Sequence, residues 1–169
     1  MSETVEFVLR AILIGVGATM VMDVWALLLK QLGIPPLNLA LLGRWIARLP
    51  RGRWMQGGVA KAEPVRGERL IGWCAHYTIG MAFAALLLSV FGLRWARSPT
   101  VLPALLTGIV TVLAPFLILQ PALGAGIASS KPPRPAFNRL KSLVTHTVFG
   151  FGLYLAARVS ASLLPAGMR

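Results

Sequence analysis

Four long apolar runs alternate along the chain with short stretches that are polar, arginine-rich or proline-rich. The first, Ala11 to Leu29, is interrupted conspicuously only by Thr19 and Asp23, and at about 1.5 Å per helical residue it is long enough to cross a hydrocarbon layer of roughly 30 Å. The second run, Leu70 to Leu93, holds His76. The third, Val101 to Leu119, begins near Pro103 and carries Pro115, whose missing N–H removes a backbone bond and predicts a kink. The fourth, Leu143 to Leu164, holds His146 and, near its far end, Arg158, whose long side chain can snorkel to the interface. This pattern predicts an all-α polytopic membrane protein, with four transmembrane helices forming one membrane domain over residues 1–169.

Between the first two runs, Pro35-Pro36 stops the first helix. Asn38 then caps a short helix over about 38–48, with Leu41, Leu42, Trp45 and Ile46 beside Arg44 and Arg48. The apolar side of such a helix lies in the headgroup boundary. Arg44, Trp45 and Arg48 are therefore candidate interface residues, the arginines meeting anionic lipid headgroups at about 1 kcal/mol per basic residue. The helix reads either as a plain interfacial anchor or as a dock for lipid or a partner.

The second and fourth runs repeat one spacing. Arg69-Leu70, His76 and Gly80 are matched by Arg139-Leu140, His146 and Gly150. Residues four apart share a helix face, so Gly72, His76 and Gly80 form one stripe and Ser142, His146 and Gly150 its counterpart. The first and third runs match only in their glycine-bearing starts, Leu13-Ile14-Gly15 and Leu106-Thr107-Gly108. A duplicated two-helix hairpin follows, and because each unit crosses twice, the two repeats enter the membrane in the same sense.

Composition agrees with the membrane as solvent. Charged residues are 13% of the chain against roughly 25% in a soluble domain, 56% of residues are hydrophobic, and mean hydropathy is +0.72. The formal net charge of +12 raises nucleic acid as a partner. Its distribution argues against that: eight Lys or Arg lie from Lys30 to Arg69 and four from Lys131 to Lys141, all between apolar runs, while the other side carries five. That bias predicts a bacterial-type inner membrane protein with both basic connections in the cytoplasm and both termini outside. Trp25, Trp45, Trp54 and Trp73 fall toward the inner interface and Trp95 toward the outer, as aromatic belts do. The lone Cys74 excludes an intramolecular disulfide and a cysteine cluster. The acidic N-terminal residues lead into a run too long for a signal-peptide core, so this segment reads as retained.

The candidate chemistry is a small polar set inside the apolar runs. Asp23 lies six residues before the inner end of the first run, about 9 Å deep at 1.5 Å per residue. His76 lies six residues into the second run, and His146 three residues into the fourth. Gln120, at the inner end of the third, borders the same layer. An ionisable group in hydrocarbon needs a partner, so Asp23 is expected to pair with a histidine. Three readings stay open: a structural pairing, a proton or substrate pathway through Asp23, His76, His146 and Gln120, or a cofactor site. For the last, two histidines and an aspartate suit a facial metal site, and two histidines on different helices suit a haem iron. The sequence requires no cofactor.

Gly15-Val16-Gly17 resembles the opening of a dinucleotide fingerprint but has no strand before it, so it reads as helix packing. The stretch Gly124 to Ala136 reads as a loop bordering an inner vestibule. No paired nucleophile and base supports acyl transfer or hydrolysis. The expected partners are the bilayer, anionic headgroups, and a second copy or a membrane partner subunit.

Five stretches together resemble the integral membrane proteins of the domain of unknown function 2938 family. They are LIGVGATMVMDVWALLL (Leu13 to Leu29), LNLALLGRW (Leu37 to Trp45), GWCAHYTIG (Gly72 to Gly80), VTVLAPFLILQPALGAGIASS (Val110 to Ser130) and RLKSLVTHTVFGFGLYL (Arg139 to Leu155). The resemblance implies a bacterial membrane protein over nearly the whole chain and implies no activity or site residues.

Overall fold

The structure is a computed structural model that describes residues 2–52 and 58–164. Trp54, Arg53 and Arg169, which enter the interface and charge patterns above, lie outside the described residues. Among the described residues the chain is all helical.

Helix α1 spans Glu3–Gln31. The Ser2 hydroxyl accepts the Val5 N–H at its start, Glu3 and Glu6 lie in the first turn, and Lys30 lies in the last, each charge favourable to the helix dipole. Gly33, with φ +74°, and Pro35-Pro36 then turn the chain. Helix α2, Leu39–Arg48, is capped by Asn38, whose side-chain oxygen accepts the Ala40 N–H at 3.0 Å. Helix α3, Glu68–Arg97, is broken near its end at Gly92, where φ +74° and ψ 169° redirect the last turn.

The third apolar run is discontinuous. Helix α4, Val101–Val110, ends in a turn at Thr111-Val112, and a π-helical segment follows over Pro115–Leu119 before the short α5, Gln120–Ala122. Pro115 has no N–H with which to continue the ladder, so the expected distortion becomes a break one turn before it. Helix α6, Pro135–Leu163, begins with proline at its first position and runs 29 residues.

Among the described residues, three helical stretches are long and apolar enough to cross a membrane: Glu3–Gln31, Glu68–Arg97 and Val101–Ala122. Helix α6 matches them in length, but His146, Tyr154 and Arg158 interrupt its apolar run. Helix α1 packs against both α3 and α6, α4 packs on α6, and α2 lies across the start of α3. Ile14 and Ala18 of α1, Leu87 of α3, Ala104 of α4 and Leu153 of α6 meet in a core with no exposure to solvent. Large apolar side chains such as Val24, Leu27, Val90, Leu102 and Val159 point outward, more than half exposed. A water-soluble monomer rarely presents so continuous an apolar exterior.

Small residues set the helix spacings. A β-carbon on Gly15 would collide with the backbone of Gly80 and Met81, and one on Gly108 with that of Gly150 and the His146 carbonyl. Gly152 meets the backbone of Ala18, and Gly17 meets Ala156. Such contacts let helices approach where lipid offers no hydrophobic drive to associate.

At the end of the bundle near the termini, a charged network joins the helices, with Glu6 and Arg10 buried and Arg97 at the surface. Arg10 is only 1% exposed. Its Nε donates to Glu6 Oε1 at 2.9 Å, its Nη1 to the Ala96 and Ser160 carbonyls at 3.4 and 3.2 Å, and its Nη2 to the Leu164 carbonyl. Arg97 closes on the same carboxylate, with Nε to Oε1 at 2.9 Å and Nη2 to Oε2 at 2.6 Å. Arg10 was countable in sequence only as one of the outer charges; here it joins α1 to the ends of α3 and α6. Trp95, expected in an outer aromatic belt, is buried at 7% exposure with its indole N–H on the Thr100 carbonyl.

Candidate functional site: a cavity between α1, α3 and α6

Asp23 faces α3 from two turns before the end of α1, and two neighbouring side chains of α3 converge on it. His76 Nε2 lies 3.0 Å from Oδ1, and the Tyr77 hydroxyl donates to Oδ2 at 2.9 Å. One carboxylate thus serves two consecutive residues, each oxygen taking one partner, which is how a charge in an apolar layer is held. Trp73 stacks on Tyr77, one helical turn away on the same face, with ring centroids 6.2 Å apart. The His76 and Asp23 side chains keep 17% and 23% exposure, so the pair remains accessible.

That exposure is to a cavity of about 690 Å³, to which Asp23, His76, His146 and Gln120 all contribute, together with Lys141 and Trp25. It lies at the end of the bundle where the two basic connections meet it, and Ser129 of the 124–136 loop forms part of its wall. The four polar residues therefore share one space, although contact joins only Asp23 and His76. His146 is buried on α6, with Nδ1 3.1 Å from the Thr111 hydroxyl. Thr111 is the residue at which α4 ends, and its hydroxyl also lies 2.7 Å from the Gly108 carbonyl. Gln120 Nε2 donates to Ser142 Oγ at 3.1 Å, while its Oε1 is buried without a partner among the described residues. Across the cavity, the Trp25 indole donates to Thr145 Oγ1 at 3.1 Å, tying α1 to α6.

The facial metal triad of Asp23, His76 and His146 is not assembled. His146 turns to Thr111, and among the described residues no three His, Cys, Asp or Glu side chains gather where an ion would sit. At His76 the ring nitrogen Nε2 is the one engaged by Asp23.

On α2, the Arg44 guanidinium grips Glu68 through Nε and Nη2 at 2.7 and 2.8 Å and the Ala62 carbonyl through Nη1 at 2.7 Å. This bidentate bond to Glu68 raises the Arg44 pKa further. Arg48 donates to the Glu63 carbonyl at 2.9 Å, and Trp45 is half-buried. Residues that sequence reasoning passed over are Tyr77, Thr111, Lys141 and Glu68. Of these, only Tyr77 carried a signal, as a phenol beside His76 on the same helix.

No curated protein and no solved structure matches the chain. A family model described as "Protein of unknown function (DUF2938)" matches residues 12–160, a span that includes Asp23, His76, His146 and Gln120. The chain belongs to the DUF2938 family.

Proposed function

We propose that the protein is a four-span protein of a bacterial-type inner membrane, and that its cavity is the binding chamber of a small proton-linked permease. The observation that carries this reading is the Asp23 carboxylate, held between His76 and Tyr77 and open to a cavity shared with His146 and Gln120. An acid and an imidazole in contact at a membrane cavity can exchange a proton with a solute or with water. Protonating Asp23 removes the charge that holds both α3 side chains, so proton occupancy changes how strongly α1 grips α3. In this reading Asp23 carries the proton, His76 relays it, and His146 and Gln120 contact the solute.

Two parallel hairpins, α1 with α3 and α4 with α6, are the architecture we favour. Its support is that the Gly15–Gly80 crossing of the first pair has a counterpart in the Gly108–Gly150 crossing of the second, with a histidine one turn from Gly80 and from Gly150. Helix α6 then spans over residues 143–164, and the basic connections face the cytoplasm.

The test is reconstitution into liposomes carrying an internal pH-sensitive dye and an imposed proton gradient. Adding a panel of small organic solutes should give solute-dependent proton entry with the native chain and none with Asp23→Asn. Proton entry unchanged in Asp23→Asn would remove Asp23 from the pathway.

A further inference from the structure

Lys141 stands on α6 beside the cavity, two residues before the apolar run. Its ammonium donates to the Pro35 carbonyl at 2.9 Å, and among the described residues it has no carboxylate within ion-pair distance. A half-buried cation without a counter-charge is unfavourable, and burial lowers the Lys141 pKa accordingly. Lys30 and Arg69 also line the cavity, while among the described residues its only acidic one is Asp23, whose two oxygens already accept bonds from His76 and Tyr77. The cavity therefore has an excess of positive charge. Much of the remaining wall is apolar, with Met22, Ala26, Leu119 and Leu123 among its residues.

A basic side and apolar walls in one space call for a ligand with one anionic head and one apolar body. The volume of about 690 Å³ falls within the roughly 300–1,000 Å³ of sites for single small organic molecules, which favours a free acid over a two-chain phospholipid. We propose that the cavity binds a small amphipathic organic acid, its anionic head on Lys141 and its apolar body among Met22, Ala26 and Leu119. The proposal rests on the binding-chamber reading above and names the chemical class that the chamber accepts.

Trp25 and Trp73 line the same cavity and supply a probe. The protein, purified in a non-ionic detergent, is titrated with a bromine-labelled fatty acid, with its methyl ester and with bromine-labelled phosphatidylglycerol while tryptophan fluorescence is followed. The acid should quench saturably and the ester should not. Lys141→Gln should raise half-saturation by about tenfold, the loss of one charge-assisted contact. Lys141→Arg should bind as the native chain does, Arg94→Gln, a cation at the far end of α3, should have no effect, and Trp25→Phe should remove much of the quenching. Equal quenching by acid and ester, or binding indifferent to Lys141→Gln in protein that melts normally, would overturn the proposal. Phosphatidylglycerol binding more tightly than the acid would assign the cavity to a lipid instead and likewise overturn it. Because the titration needs no gradient, saturable acid binding without solute-driven proton entry would refute the permease reading and leave this one standing.

Discussion

Gly43 of α2 and Gly72 of α3 lie where two helix backbones touch: a β-carbon on Gly43 would overlap the Glu68 carbonyl, and one on Gly72 the Leu39 carbonyl. Neither obstacle is a side chain that can swing away. Gly72→Ala should therefore cost about 1–3 kcal/mol or more by overpacking, whereas Cys74→Ala, at an exposed position on the same helix, should stay within about 0.5 kcal/mol. Thermal unfolding in detergent compares the two, and equal melting temperatures would show that α2 is not seated on α3 in this way.

The Arg44–Glu68 pair should behave as a unit. Removing either partner strands the other, so Arg44→Met and Glu68→Met should each lower the melting temperature, and the double variant should recover part of the loss. Losses that simply add in the double variant would mean that the two side chains act independently.

At Asp23 the two partners should rank. Tyr77→Phe removes one bond to a carboxylate and should cost about 1–2 kcal/mol, while Asp23→Ala strands both His76 and Tyr77 and should cost more. Unfolding by graded denaturing detergent measures both, and equal costs would mean that the His76–Asp23 contact adds no stability.

Orientation is open to a direct check. In a Cys74→Ser background, a membrane-impermeant thiol reagent should reach Ser98→Cys in intact spheroplasts and Lys131→Cys only after the membrane is opened. The reverse pattern would invert the topology inferred from the Lys and Arg bias.

Much of this arrangement is legible in the sequence because it rests on periodicity and on the cost of burying charge. The Asp23–histidine pairing follows from the penalty on a lone carboxylate in an apolar run, and spacing alone brings Gln120 and His146 to the same layer. The choice of His76 over His146 does not follow, because it depends on which helix faces α1 at that depth. Thr111 was hidden for a related reason: its hydroxyl reaches His146 only because α4 stops there, and the break precedes the proline that signals it. The Arg44–Glu68 bond is not legible either, because an arginine on an amphipathic helix reads the same whether or not a glutamate twenty-four residues later reaches it. The acidic side of that pair, Glu68, sat among bases and drew no attention.

Arg10 links the order in which the chain is made to the point at which it becomes sound. Its hydrogen bonds run to Ala96, Ser160 and Leu164, so most of what satisfies this guanidinium is synthesised long after it, and the largest share comes from the last helix. Until α6 docks, the first helix carries a charge paired only in part. Arg10→Ala, which takes a donor from those carbonyls and leaves Glu6 with Arg97 alone, should destabilise the protein by about 3–5 kcal/mol, measurable in the same unfolding assay. A chain interrupted before Ser160 would lack the Ser160 and Leu164 carbonyls and leave Arg10 with fewer partners. This end of the bundle is thereby held by contacts between stretches far apart in the chain, so its assembly waits on α6.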